Sequence, residues 1–251
     1  MKFVFYTPFS ILMDPPPNYL FLKRMLKEHK LDLQRDNSKV REMYIEYLYS
    51  KERMGYKFLA FEKVTLPSVL KNLELDQSAE WWVYVSKEMP VAYKDKLSAL
   101  VCISRQIKLI EVDSFMDMSQ KYTREYRKLS EDSERLCVLR IDDDDGVYVG
   151  LLQDIESAAQ SRDYPFLYTC PLGRYCKVSP NGDVVLGGHI LRTPYPHTVA
   201  LAGVDVDVRK LGDHTKIQKR NPELEIVENL KQEDAVLITC DPDHTATLRR
   251  F

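Results

Sequence analysis

Leu136-Cys137-Val138-Leu139-Arg140-Ile141-Asp142-Asp143-Asp144-Asp145-Gly146-Val147 is the stretch on which the reading of the chain turns. An apolar, β-branched run leads straight into four consecutive carboxylates and is released by a glycine. That pattern is a buried strand ending at a polar edge. Neighbouring carboxylates repel one another, so the cluster calls for a neutralising cation, and hard oxygen ligands suit Mg²⁺, Mn²⁺ or Ca²⁺ rather than zinc. Ligands of open α/β sheets bind beyond the carboxyl ends of the strands, where this cluster falls. The plainer reading is a solvated acidic turn, against which stand the strand before the cluster and the helix expected after it. A calcium loop of the EF-hand kind fails, because Gly146 at its sixth position puts Ile141 first and Leu152 twelfth, where carboxylates are required.

Upstream, Phe3 to Tyr6 reads as a buried strand stopping at Thr7-Pro8. Pro15, Pro16 and Pro17 forbid a helix before about Asn18. Apolar residues recur at helical spacing from Tyr19 to Lys30 and from Val40 to Leu73, with Pro67 breaking or kinking the second stretch. Glu80 to Ser86 and Ile107 to Val112 read as strands, Pro90 to Val101 and Ser119 to Leu129 as helices, and Leu136 to Ile141 as the strand that carries the cluster. Strands alternating with helices predict an α/β fold with a mostly parallel central sheet flanked by helices. Trp81 and Trp82 alternate across their strand, one packing in the core and the other under a helix.

Beyond Asp145 lie eight of the nine glycines, and short β-like runs (Phe166 to Cys170, Tyr175 to Val178, Val184 to Leu186) are separated by turn signals such as Asn181-Gly182. This predicts a β-rich C-terminal half. Without a repeat or a long linker, residues 1–251 read as one domain.

Lys plus Arg (36) nearly balance Asp plus Glu (38), so no global basic field is available to hold a nucleic acid. Five cysteines without a C-x-x-C pair do not form a disulfide framework and fit a reducing, cytoplasmic setting. The apolar start MKFVFYTPFSILM has no small-residue cleavage site, and no run approaches the roughly 18 apolar residues that span a bilayer. A P-loop, a dinucleotide fingerprint and a G-x-S-x-G elbow are all absent, which leaves the acidic cluster and the loop after the first strand, at Tyr6 and Thr7, to hold any nucleotide.

The strand-borne RIDDDDGV, the upstream FEKVTLPSVLKNL (Phe61 to Leu73), the strand WWVYVS with its Pro-started helix carrying Tyr93-Lys94, and the later SPNGDVV (Ser179 to Val185) together resemble the rhamnosyltransferase family of GT-A-type glycosyltransferases. The order of the pieces matches, and the resemblance runs over most of the chain. It implies a GT-A-like fold in which residues 1–146 bind the nucleotide sugar and 147–251 form the acceptor side. It also implies a D-x-D motif that holds Mn²⁺ or Mg²⁺ against the donor diphosphate, and transfer of a sugar such as rhamnose to a glycan or glycoconjugate. The carried-over positions are Asp142, Asp144 and Asp145 for the metal, with Asp142 and Asp143 toward the nucleotide. Continued strand geometry would put Asp142 and Asp144 on one face. A late residue completing the metal shell is also implied, which brings in His214 and then His244; Gly212 permits a tight turn beside His214, and Lys216 to Arg220 add positive charge. His189 and His197 share that half of the chain, and His29 lies in a Lys-rich helix. Arg124 and Arg140 are candidates to brace a donor phosphate. The sequence departs from the family where a basic residue is expected after the first strand and Tyr6-Thr7-Pro8-Phe9 stands instead. For the base that deprotonates the acceptor, the acidic candidates are Asp205 and Asp207. Two rivals remain: a metal-dependent phosphoryl-transfer enzyme or nuclease, and a catalytically degenerate binding subunit with this fold.

Overall fold

The computed structural model of the chain describes residues 1–13, 26–32, 35–190, 201–207, 221–231 and 236–239. Within them a seven-stranded sheet runs in the order β10-β6-β9-β4-β1-β2-β3. Its strands are β1 (Lys2–Phe9), β2 (Glu80–Ser86), β3 (Ile107–Val112), β4 (Leu136–Arg140), β6 (Phe166–Thr169), β9 (Leu201–Val204) and β10 (Glu225–Glu228). All neighbours are parallel except β9, which is antiparallel to both β4 and β6. The carboxyl ends of the other six strands therefore open on one edge.

Side chains alternate across this sheet as the period of two requires. Phe3, Phe5 and Phe9 of β1, Trp81, Val83 and Val85 of β2, and Cys137 and Leu139 of β4 face one core. That core is covered by α2 (Lys51–Ala60), α3 (Leu66–Leu75), α4 (Val91–Val101) and α6 (Leu151–Gln160). Val4, Tyr6, Trp82, Tyr84, Leu136 and Val138 face the other side, under Met118 and Tyr122 of α5 (Phe115–Asp132). Each tryptophan finds its polar partner: Trp81 Nε1 donates to Thr7 Oγ1 at 3.0 Å and Trp82 Nε1 to Glu80 Oε2 at 2.9 Å.

The helical stretch expected from Val40 to Leu73 is one continuous run of pieces. After α1 (Asn37–Leu48) a break at Tyr49 and Ser50 leads into α2, and a π-turn over Phe61–Thr65 leads into α3. Pro67 explains the π-turn. In α geometry its ring would collide with the carbonyl four residues back, and the wider turn, closed by Leu66 N–H donating to Phe61 O, relieves this. The turn also lets the helix serve two cores: Phe61 meets Phe9 and Trp81, whereas Ala60 and Val64 meet Cys176 and Val178.

Those cysteine and valine residues belong to a second sheet in the order β5-β11-β7-β8, formed by β5 (Asp145–Val147), β7 (Gly173–Val178), β8 (Val184–Ile190) and β11 (Val236–Thr239). The Asn181-Gly182 turn joins β7 to β8, with Gly182 at φ +91° and its Cα side pressed on Lys63, so that an added Cβ would lie 3.0 Å from Lys63 Cε.

One expectation changes. β1 continues through Pro8 to Phe9, because pairing with β4 stops at Tyr6 and Pro8 is flanked by β2 alone. The β-rich half adds β6, β9 and β10 to the central sheet, and its β11 pairs with β5. Most of the helix expected from Tyr19 to Lys30 lies outside the described residues. Among the described residues no helix is long and apolar enough to cross a membrane.

Candidate active site

β4 ends at Arg140, and the four aspartates follow as a tight turn in which Asp145 N–H reaches back to Asp142 O at 3.3 Å. Strand alternation therefore stops before the cluster, and Asp142 and Asp144 do not share a face. This corrects the strand-based expectation. Instead, Asp143 and Asp144 converge on the ammonium of Lys57, at 2.9 Å from Asp143 Oδ1 and 2.6 Å from Asp144 Oδ2. Asp142 turns the other way and accepts from Arg140 Nε at 3.1 Å and Nη2 at 3.0 Å, all on Oδ1. Its side chain is 45% exposed, against 10% for Lys57.

Lys57 comes from the buried stripe Met54, Lys57, Phe58, Phe61 along α2 and its extension. Burial pushes its pKa down, but the Asp143 and Asp144 charges outweigh that and hold it above the ordinary lysine value. The Asp144 carboxyl is also held above its ordinary value, by burial first, with Lys57 pulling it down and Asp143 and Asp142 adding to the rise. We take the ion pair as formed, because both oxygen contacts are short and the ammonium has two carboxylates against it.

Asp145 differs from the other three. It is 7% exposed and accepts no hydrogen bond or ion pair among the described residues. Burial raises its pKa well above the ordinary value, with Asp144 and Asp142 adding to the rise. A buried carboxylate without a partner is costly unless something satisfies it.

The end of β1 closes the site from the side. Ser10 sits at φ +47°, a conformation rarely adopted by a residue with a Cβ. Every polar group it has is engaged: N–H donates to Asp143 Oδ2 at 3.2 Å, C=O accepts from Tyr49 OH at 3.2 Å, and Oγ accepts from Arg53 Nη1 at 3.1 Å. The strain is over-determined by its surroundings, as at sites where geometry has to be held. The basic residues expected after β1 are thus delivered by α2, as Arg53 and Lys57.

The other candidates fall as follows. Thr7 is fully buried beneath Trp81, and the Tyr6 ring lies 5.0 Å from that of Tyr122 under α5, so both are core residues rather than nucleotide contacts. Arg124 is on the solvent side of α5, in a groove with Ser119, Thr123, Arg127 and Lys128, away from the acidic turn. Asp205 sits at the amino end of β4, its Oδ1 accepting from Leu136 N–H at 2.9 Å and its Oδ2 pairing with Arg135 at 2.8 Å. Leu136 and Arg140 are the two ends of this five-residue strand, a span of roughly 13 Å at about 3.3 Å per step. Asp207 raises the pKa of Tyr126 on α5, after burial as the main cause, and belongs to the same edge. Both are therefore displaced from the acidic turn, because β9 runs antiparallel and delivers the residues after it to the opposite edge. His197, His214 and His244 lie outside the described residues, as does the side chain of His189.

The donor set can be tested against a divalent cation. Of the four carboxyl groups, Asp143 and Asp144 are paired with Lys57 and Asp142 with Arg140, so four acidic groups stand against two paired cations. Among the described residues no three His, Cys, Asp or Glu side chains form a metal centre. Mg²⁺-type sites, however, commonly use one or two carboxylates and complete the shell with substrate phosphates and water. Orphaned Asp145 and the second oxygen of Asp142 fit that pattern in number, charge and chemistry.

The chain matches the family described as "Putative rhamnosyl transferase" over residues 32–166, which includes Lys57 and the whole acidic turn. None of the curated proteins matches it significantly. Among solved structures, S. aureus TarS aligns at 12% identity with a TM-score of 0.46, over 99% of this chain and 38% of TarS. A second structure, of S. aureus TarS 1–349, aligns at 13% identity with a TM-score of 0.43, over 99% of this chain and 64% of that one. The galactosyltransferase LgtC in complex with donor and acceptor sugar analogs aligns at 11% identity and a TM-score of 0.36, over 96% of this chain and 88% of that one. The chain spans less than two thirds of the length of both TarS structures.

Proposed function

The chain belongs to this rhamnosyl transferase family, and from that premise we propose that it transfers a sugar, rhamnose first among the candidates, from a nucleotide-sugar donor to a glycan or glycoconjugate. The observation that carries the reading is the acidic turn at the carboxyl end of β4, four acidic groups against two paired cations, with Asp145 making no hydrogen bond or ion pair among the described residues. Asp142 and Asp145 would hold Mn²⁺ or Mg²⁺, which when bound neutralises charge on the leaving diphosphate. Asp142 is oriented for this by Arg140, and Asp143 is fixed by the Ser10 amide. Asp144 stands next to them on Lys57 and contributes to the field rather than to the direct contacts. His214 and His244 are kept as late-chain contributors to the donor site. Buried, unbridged Cys137, Cys170 and Cys176 support a reducing, cytoplasmic setting.

Two rival readings are weaker. Phosphoryl transfer by two metals needs further carboxylates from neighbouring strand ends, and none converge among the described residues. A purely binding subunit has no need of a strained Ser10 held by three separate partners.

The test is thermal melting with UDP, GDP and dTDP, each with Mn²⁺ and with excess EDTA. A nucleoside diphosphate at a hundredfold excess over its dissociation constant adds about 2.7 kcal/mol, or roughly 5–11 °C for a chain of this size. Stabilisation by at least one of them that needs Mn²⁺ is expected. Equal stabilisation in EDTA removes the metal bridge, and no stabilisation by any of them removes the donor site.

A further inference from the structure

We propose that Lys57 is the positioning residue that decides which of the four aspartates meet the donor. The proposal rests on the reading of the acidic turn as the donor site and deepens it.

The chain supplies the ammonium from 86 and 87 residues upstream of the carboxylates it pairs with. It does so from a helix face that is otherwise Met54, Phe58 and Phe61. A well-packed apolar side chain there would serve stability as well as a buried ion pair or better. The lysine must therefore be explained by the arrangement it imposes. That arrangement is uneven: Lys57 and the Ser10 amide take both oxygens of Asp143, Lys57 takes one oxygen of Asp144, Arg140 takes one of Asp142, and Asp145 has no contact with either cation among the described residues. Asp144 follows directly on Asp143 and directly precedes Asp145. Without the ammonium it becomes a third carboxylate beside the cation.

Cation affinity in oxygen sites rises with the number of charged ligands. Lys57 thus keeps the protein's hold on the cation incomplete, so that the diphosphate supplies the remaining ligands and metal and nucleotide are retained together. Ser10 reinforces this by anchoring the second oxygen of Asp143, so the pair swings neither outward nor apart.

The experiment is a titration of Mn²⁺ alone, by calorimetry and by its paramagnetic resonance spectrum, on the full chain. The proteins are the wild type, Lys57→Met, Lys57→Arg and the double variant Lys57→Met/Asp143→Asn. The double variant keeps the turn at its original net charge, which protects the test if Lys57→Met does not fold. Both methionine variants are expected to bind Mn²⁺ about tenfold more tightly than the wild type, with a changed spectrum, because Asp144 joins the ligands. Lys57→Arg, which keeps the cation, is expected to return to within about threefold of the wild type. Unchanged or weaker Mn²⁺ binding in the folded methionine variants overturns the proposal, as does Lys57→Arg behaving like Lys57→Met. If the wild type keeps its Mn²⁺-dependent stabilisation by a nucleoside diphosphate, such a result leaves the proposed function standing and removes only the role of Lys57. If neither the wild type nor any variant binds Mn²⁺, and no nucleoside diphosphate stabilises the wild type in its presence, both fall.

Discussion

At the scale of single residues, the four aspartates of one run have three different fates, and each has a physical cause. Asp143 and Asp144 are neutralised by Lys57, Asp142 is held by Arg140, and Asp145 is buried without a partner among the described residues. For Asp145 and Asp144 the folded-state pKa lies above the ordinary value of 3.8, through burial first. A carboxyl with a raised folded pKa favours the folded state most at low pH and loses that contribution as pH rises through the raised value. The metal-free protein is therefore expected to melt at progressively lower temperature as pH rises from the ordinary carboxylate range through the raised pKa of Asp145, a slope that saturating Mn²⁺ reduces. Asp145→Asn should flatten the slope and stabilise the metal-free protein by about 1–2 kcal/mol near pH 8, while removing the response to Mn²⁺. A variant that melts lower than the wild type at pH 8 would show that Asp145 already has a partner. The cluster itself was legible because four carboxylates after an apolar strand are chemically conspicuous. Lys57 was not, although a lysine on the stripe Met54, Phe58, Phe61 is a signal that such a stripe contains a charge with a purpose. Asp205 and Asp207 misled because acidic residues near a strand do not reveal which end of the sheet they reach.

Among elements, the helical run from α1 to α3 does most to build the site. Asn72 of α3 is fully buried, and its amide donates to Ser68 O at 3.0 Å and Tyr148 O at 2.9 Å while its carbonyl oxygen accepts from Gly150 N–H at 3.2 Å. It ties the helix to the segment that leaves the acidic turn. Asn72→Ala is expected to cost about 2 kcal/mol, since two backbone groups lose their partner in a buried place. That corresponds to a melting temperature lower by roughly 4–8 °C, measurable by circular dichroism. A loss under about 1 °C would mean that water replaces the amide. The strands β2 and β3 were readable to the residue, β2 because apolar side chains fill both its faces and β3 because Ile107, Leu109, Ile110 and Val112 form a short β-like run interrupted only by Lys108 and Glu111. The π-turn was not, since Pro67 announces an interruption without saying whether the helix kinks, stops or widens. β9, β10 and β11 are each four residues long, too short for a period to emerge, and they exist only because a neighbouring strand presents an edge to them.

Across the whole molecule, the α/β class and the flanking helices follow from the alternation of patterns, and strands from both sides of residue 146 share one sheet. β9 is the reason. It is the single strand that joins β4 to β6, pairing Cys137 with Val204 on one flank and Phe166 with Val204 on the other. During synthesis the ribosome releases β1 to β4 first, then β6, and both β4 and β6 wait with bare edges until Leu201–Val204 emerges. Such a distant pairing is slow to form, and an unpaired edge is a template for another chain in the meantime. A chain ended after Ile190 is therefore expected to elute in the void volume of a sizing column, and one that ran as a compact monomer would show that β4 closes in some other way. The antiparallel strand is thus the seam between the two parts of the sheet, and until it is sewn β4 and β6 each keep an open edge.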